Sequence, residues 1–341
     1  MDLASEILKA LPDVAAAAES SERWIRPLGH SKATARNHFV LFLKPEALAL
    51  EDGVNVEAVL ELVLSKLWAN GAKTGAVRIL NGSYLGEFRI MEAHYGVINR
   101  ASRMGEAALS QPTKKKLAAE CPDIQQILGG HQFLGKFPNV SAFALNIMAD
   151  TLGTKKIASG KYYGVLNVAG ERIVVLNPFH PQQVLHYTQP GRVIVVFECA
   201  SDADWAVLRN NMTGSTDPKR AAPGSIRRTL LERKAKLGLR DVSTANNGVH
   251  CSAGPLEAMV EYMRFFSDHA KGKQIEPDDT PFGHLLKKRD LGKKDIAALA
   301  KNPLLGRGAE ATYAFNLTEE KNSETAAKLL AGASRKKVAA K

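Results

Sequence analysis

Pro223-Gly224-Ser225-Ile226-Arg227-Arg228 and, further on, Asn247-Gly248-Val249-His250-Cys251-Ser252-Ala253-Gly254-Pro255 are the stretches on which the reading of this chain turns. They belong to one segment, Thr213 to Glu261, which opens Thr213-Gly214-Ser215-Thr216-Asp217-Pro218. Its first part is turn-rich, with Gly, Thr and Ser followed by Arg. Exposed backbone N–H groups, hydroxyls and guanidinium forks are what a polyphosphate needs. In the second part His250 stands among small residues, so a bulky ligand can reach its ring. Pro255 after Gly254 suits the first turn of a helix. From there Leu256, Met259, Val260 and Met263 repeat at helical spacing and give an apolar face. Glu261 lies one and a half turns into that helix, near enough to fold back on the His ring. Read singly, each piece is ordinary: a lone His is usually structural, a Pro-Gly turn before Arg is usually a helix start, and a helical Glu is usually solvated. Their combination and order carry the information.

In that order the chain resembles the nucleoside diphosphate kinase family. The family shows Thr-x-Pro, then Pro-Gly-Thr-Ile-Arg, then Asn-x-x-His-x-Ser, and a Glu in the following helix. Here these stand as Thr216-Asp217-Pro218, Pro223-Gly224-Ser225-Ile226-Arg227, Asn247-Gly248-Val249-His250-Cys251-Ser252, and Glu261. The spacings from Pro218 to Pro223 and from His250 to Glu261 also fit. The resemblance adds an opening strand, Phe39 to Leu43, followed by Lys44-Pro45-Glu46, and a His94-Tyr95 pair. It implies that His250 is the nucleophile, that Glu261 orients its ring, and that Ser252 hydrogen-bonds that carboxylate. Tyr95 would help position the His and the phosphate. Lys44, Arg209, Thr216 and Arg227 would hold phosphates, with Lys44 and Arg227 at a solvent-facing mouth, and Asn247 and Lys44 would hold the ribose hydroxyl. The family's phosphate-binding Arg stands shortly before its Thr; Arg209 is the nearest candidate, one residue further from Thr216 than the family has it. The implied cofactor is Mg2+, carried mainly by the nucleotide phosphates with no metal-ligating residues. The implied partners are nucleoside triphosphates and diphosphates, with a homo-oligomer left open.

Length and composition set the frame. With 341 residues the chain is long enough for two domains. No apolar run is long enough to span a bilayer, and the N-terminus has no basic region, apolar core and cleavage site of a secretory signal. Cys121, Cys199 and Cys251 are too few and too scattered for a disulfide framework or a zinc site. A cytoplasmic protein with no membrane partner is the expectation. The formal charge of +11 suits anionic partners, free nucleotides and nucleic acid alike.

Along the chain, Leu3 to Ala18 forms an amphipathic helix with a Leu3, Ile7, Leu8, Leu11, Val14 stripe, expected to dock on the protein body or a partner. Val54 to Ala69 reads as a helix stopped by Gly71, and Ala76 to Leu80 as a strand. Tyr84 to Tyr95 reads as one helix. The resemblance then lapses. Pro112 to Lys116 begins a basic helix, Pro122-Asp123 suggests another helix start broken by Gly129-Gly130, and Ser141 to Leu152 is helical. Tyr162 to Leu166 and Arg172 to Leu176 read as a hairpin around Ala169-Gly170-Glu171. The pattern resumes with a strand at Arg192 to Glu198, a helix from Ser201 to Arg209, a helix from Leu230 to Leu237 ended by Gly238, and a last strand from Val242 to Ser252. Beyond Asp268 the chain is an extension, with a helix at Lys293 to Lys301 and a low-complexity end whose Ser334-Arg335-Lys336-Lys337 reads as a disordered basic tail.

The expected fold is α/β of the α+β kind: a ferredoxin-like βαββαβ sandwich with a large helical and hairpin insertion and a C-terminal extension. The expected domains are an N-terminal helical segment (1–36), a kinase-like domain (37–95 and 192–267), an insertion (96–191) and an extension (268–341). Departures from the family are Ala253 and Gly254 in place of an Asp-Ser pair, Ser225 in place of Thr, and no base-stacking Phe between Gly96 and Gln111. Two other readings stay open. One is a nucleotide sensor without turnover, which the joint presence of Lys44, Asn247, His250 and Glu261 disfavours. The other is a nucleic-acid-binding protein using the basic helices and tail, disfavoured by the 6% aromatic content.

Overall fold

The structure, a computed structural model, describes residues 2–29, 35–306 and 311–338. The chain forms two units, one of Met1–Tyr84 with Pro190–Lys341 and one of Leu85–Gln189.

The first unit opens with helix α1 (Leu3–Ala16), whose first turn is capped by the Asp2 carboxylate accepting from Ser5 N. Its apolar stripe faces inward: Leu3, Ile7, Leu11 and Val14 join the main core of the unit. There follow β1 (Glu22–Arg26), β2 (Asn37–Leu43), α2 (Val56–Ala69), β3 (Lys73–Asn81), β4 (Val193–Ser201), α3 (Ile226–Glu232), β5 (Val249–Cys251) and α4 (Pro255–Phe266). They build a five-stranded sheet in the order β1-β3-β4-β2-β5. Every pairing in it is antiparallel. Without the edge strand β1 the order β3-β4-β2-β5 is the ferredoxin-like sandwich expected from the element sequence. Successive strand residues point to opposite faces. Phe39, Leu41 and Leu43 of β2 and Val195, Phe197 and Cys199 of β4 therefore share the face covered by α1, α2 and α3, where Val59, Val63, Ile226 and Leu230 meet them. The opposite face carries Phe42 and is crossed by α4, whose Phe265 ring lies 5.2 Å from the Phe42 ring.

A buried guanidinium ties α4 to the sheet. Arg78 of β3 is fully buried and donates to the carbonyls of Phe265 (2.9 Å) and Ser267 (2.8 Å) at the C-terminus of α4. It also donates to the Tyr84 hydroxyl at 2.8 Å, and it pairs with Glu22 of β1. Its planar fork stands 4.8 Å from the Trp24 ring centroid. A cation at a helix C-terminus is favoured by the helix dipole, and here it satisfies carbonyls that have no intrahelical partner.

The second unit has its own sheet. Gln126–Gly129, Glu171–Leu176, Lys161–Val168 and Lys155–Ala158 form four strands in that order, the first pair parallel and the others antiparallel. The hairpin turn holds Ala169 and Gly170 at φ 52° and 80°, the two left-handed residues that a tight turn between twisted strands requires. The helices Gln111–Glu120 and Ala142–Leu152 lie where expected, each capped by the preceding serine, Ser110 or Ser141.

Other expectations are corrected. Pro122-Asp123 starts no helix; it leads into the strand Gln126–Gly129, because Gln125 and Arg172 bond to each other and set the pairing with Glu171–Leu176. Gly129-Gly130 joins that strand to a helix, and the tight fit is the reason for Gly: a Cβ on Gly129 would stand 2.1 Å from the Ser102 carbonyl oxygen. The helix expected over Tyr84 to Tyr95 is two short ones, Gly82–Glu87 and Ile90–His94, parted at Arg89, which takes a left-handed backbone. The last strand is only Val249–Cys251, since Gly248 at φ 77° turns the chain just before it. α3 starts earlier than expected, at the Ser225 cap, and stops at Glu232. The basic end is not disordered: α5 (Ser323–Val338) continues as helix through Val338. Its Ala326, Ala327, Leu330 and Ala331 pack with Leu256 and Met259 of α4. Among the described residues no helix is long and apolar enough to cross a membrane.

Arg78→Met keeps the apolar stem but leaves the two α4 carbonyls and Glu22 without their cation. Breaking a buried charged network in this way costs about 3–5 kcal/mol, which equilibrium urea unfolding will register as a lower midpoint.

Candidate active site

β5 is an edge strand and pairs with β2 so that Phe42 stands opposite His250. Directly opposed residues share a face. The two rings stack, with centroids 4.7 Å apart and planes 20° from parallel. α4 then brings its inward side over the imidazole. His250 Nε2 and Glu261 Oε1 are 2.6 Å apart, and Ser252 donates its hydroxyl to Glu261 Oε2 at 2.5 Å. Ser252 is held in turn by β2, accepting from Val40 N at 3.0 Å. Glu261 is wholly buried, while the His250 side chain keeps 18% exposure, enough for one edge of the ring to meet a ligand.

Charge around the ring is positive. Burial lowers the His250 pKa well below its ordinary value, and the charges of Arg209, Arg227, Lys44 and Arg264 lower it further. Burial pushes Glu261 up to about 7, against the opposing pull of the Ser252 hydroxyl and of Arg264 and Arg209. A lowered pKa favours the neutral ring, and because Nε2 faces the Glu261 carboxyl group, Nδ1 is the ring nitrogen turned away from it.

The sequence candidates divide as follows. Lys44 lies at the exit of β2; its N–H donates to the Gly248 carbonyl at 2.9 Å, and its ammonium reaches Ala245 O at 3.4 Å. Lys44 and Arg227 were expected at a solvent-facing mouth, but both are buried, at 8% and 5% exposure. Arg227 donates to the carbonyls of Gly214 (2.8 Å) and Val249 (2.9 Å), so its guanidinium ties the His strand to the Gly214 turn. Asn247 donates to the carbonyls of Thr216 and Thr244, while its Oδ1 is buried without a partner among the described residues. Thr216 is exposed and joins this group through its carbonyl. Tyr95 belongs to the second unit, where its hydroxyl is 3.1 Å from that of Tyr187.

Arg209 reaches the His strand despite its longer spacing. Val207–Thr213 is a π-helix, closed by Gly214 N donating to Arg209 O at 3.0 Å. A π turn contains one residue more than an α turn, and Arg209 lies within this one. Arg209 then donates to the Cys251 carbonyl at 2.9 Å.

Three residues near the ring escaped sequence reasoning. Phe42 was hidden because its role depends on the β2–β5 register. Arg264, three residues beyond Glu261, and Glu257, one turn before it, were readable as neighbours along the helix. Glu257 accepts from Ala253 N at 2.6 Å, and its carboxyl is pushed up to about 7 by burial and then by Glu261.

An NMR titration of His250 should show a midpoint below the ordinary 6.5. In Glu261→Gln the midpoint should fall further, because an amide offers the imidazolium no countercharge. A midpoint at or above the ordinary value would contradict the electrostatics described above.

No protein-family model matches the chain, and no curated protein does. Among solved structures it is similar to the nucleoside diphosphate kinase of Pyrobaculum aerophilum, at 19% identity and a TM-score of 0.36 over 68% of this chain and 96% of that one. It is similar to that of Aquifex aeolicus at 15% and 0.34, over 68% and 96%. The apo enzyme of Encephalitozoon cuniculi stands at 12% and 0.34, over 72% and 92%. At such values the likeness adds nothing to the topology already read from the strand pairing.

Proposed function

We propose that the first unit transfers the γ-phosphoryl group of a nucleoside triphosphate to a nucleoside diphosphate through a phosphohistidine on His250. One observation carries this reading: His250 Nε2 stands 2.6 Å from the buried Glu261 carboxyl group, with Lys44, Arg209 and Arg227 close enough to the same ring to favour its neutral form, which we read as protonated on Nε2. In that tautomer the Nδ1 lone pair attacks the γ-phosphorus in line. The N–P bond forms as the bond from phosphorus to the β–γ bridging oxygen breaks, and the diphosphate leaves with the electron pair. A second diphosphate then takes the phosphoryl group on its terminal oxygen and the ring returns to its starting state. Glu261 holds the Nε2 proton throughout and stabilises the positive charge that develops on the ring, with Ser252 steadying the carboxylate. The cations supply the positioning and charge that dominate phosphoryl transfer. They suit phosphate oxygens rather than a metal ion, so Mg2+ would enter on the nucleotide's own phosphates.

The test is incubation with γ-labelled ATP, followed by assay for acid-labile label on the protein and its discharge by a nucleoside diphosphate. His250→Asn should bind nucleotide and take no label. Glu261→Gln should be labelled on the order of 10–100-fold more slowly, since it keeps the shape and loses the charge. Label mapped to another residue in His250→Asn would defeat the mechanism. Wild-type protein that binds nucleotide and is never labelled would be a nucleotide sensor instead.

Lys44→Ala should slow turnover roughly ten- to a hundred-fold, a lost charge-assisted contact of about 1.5–3 kcal/mol, and lower the melting temperature slightly, since a buried stem is lost and the Ala245 carbonyl loses its donor. Arg227→Ala should slow it similarly and also lower the melting temperature, because it strips the carbonyls of Gly214 and Val249 of their donor. Wild-type kinetics in both variants would remove these residues from the phosphate site.

A further inference from the structure

The segment after His250 is short of side chains that could fix it. Ala253 and Gly254 link Ser252, which holds Glu261, to the first turn of α4, which carries Glu261. Glu257 of α4 holds one side of this link, accepting from Ala253 N at 2.6 Å, and the C-terminal extension holds the other. Glu320 N donates to the Ala253 carbonyl at 2.9 Å. To present that N–H, Glu320 takes a left-handed backbone at φ 55°, which costs a non-glycine residue of order 1–3 kcal/mol and persists only where the surroundings impose it. Against Gly254 the extension packs so closely that a Cβ there would stand 2.6 Å from the Thr318 carbonyl oxygen. Gly254 itself is extended at φ −166°, so it is the close approach, and not the backbone angle, that excludes a side chain.

The turn making these contacts is anchored at its other end. Asn322 Oδ1 accepts from Asn37 Nδ2 (2.8 Å) and from Trp205 N (2.9 Å), and Asn322 Nδ2 donates to Asp204 at 2.8 Å. Ser323 N donates back to Asn37 Oδ1 at 2.9 Å. Asn37 begins β2, the strand that presents Phe42 to His250. Trp205 returns to the same loop, donating its indole N–H to the Ser252 carbonyl at 3.3 Å. One turn thus bridges the start of β2, the start of the helix leading to Arg209, and the link between His250 and Glu261.

We propose that residues 318–323 of the C-terminal extension are a positioning element for His250, locking the 252–254 link so that Glu261 holds the imidazole in its attacking orientation. The proposal rests on the phosphoryl-transfer reading, and its residues act through His250 without touching substrate. Gly254→Ala pushes the Thr318 carbonyl away, and Asn322→Ala removes the anchor. Lys321→Ala, on the exposed side of the same turn, is the control.

Three quantities are measured on full-length folded protein: nucleotide affinity, the single-turnover rate of labelling from γ-labelled ATP, and the low-field proton resonance of the His250–Glu261 hydrogen bond. Gly254→Ala and Asn322→Ala should keep nucleotide affinity, lose about ten-fold or more in labelling rate, and shift or lose the resonance; a displacement of about 1 Å is enough for such a loss. Lys321→Ala should match the wild type in all three. A turn that only adds stability would lower the melting temperature of the variants while the folded protein kept its rate and its resonance, and that result overturns the proposal. Should the wild type take no label, the phosphoryl-transfer reading fails, and the resonance alone decides: unmoved in both variants, it overturns the positioning role as well.

Discussion

Glu261 is a carboxyl group without solvent, and that constraint organises much of the first unit. A buried carboxyl group is tolerated only when both oxygens are satisfied. Its hydrogen-bond partners here include the His250 ring and the Ser252 hydroxyl, both presented by the strand-and-loop segment at the edge of the sheet. Those partners are in place only if β5 pairs with β2 in the observed register, and a slip of one residue would turn His250 to the other face. The helix carrying Glu261 must also sit at a fixed depth, and the Arg78 network on its last carbonyls sets that depth from the opposite end. Strand register, helix position and ring orientation are therefore one coupled arrangement.

The cations follow from the same economy. In water Lys44, Arg209 and Arg227 would need no partners; brought in beside a neutral imidazole, they take main-chain carbonyls at Ala245, Cys251, Gly214 and Val249. These contacts hold positive charge next to the ring before any anion arrives. An arrangement organised in advance spends less on reorganisation when charge develops.

How much of this was readable depended on how local each cause was. The order of the fold was legible because Phe39 to Leu43, Ala76 to Leu80 and Arg192 to Glu198 are apolar runs of strand length with helical segments between them. Glu261 was legible as a partner of His250 because helical spacing fixes its side of α4. Phe42 was not, since nothing within Phe39-Val40-Leu41-Phe42-Leu43 says which residue of a distant strand it will face. The burial of Arg227 was hidden for the same reason: its acceptors lie in other turns of the chain. Pro122-Asp123 misled because a Pro-Asp pair opens turns and helices alike, and the choice was made by pairing with Arg172. The run from Ala326 read as low complexity, yet small side chains are what let α5 lie close against Leu256 and Met259.

The π-helix at Val207–Thr213 has a consequence for rotational phase. Each residue of an α-helix advances the chain by roughly 100° about its axis. Holding one surplus residue in a widened turn lets the chain before and after it keep the same azimuth, so that Leu208 and Met212 still face the main core while Arg209 meets the His strand. Deleting one residue from this turn would not simply shorten a loop. It would rewind the turn to α geometry and place core residues and guanidinium out of phase with one another, so the length of this short helix is as much a part of its specification as its composition.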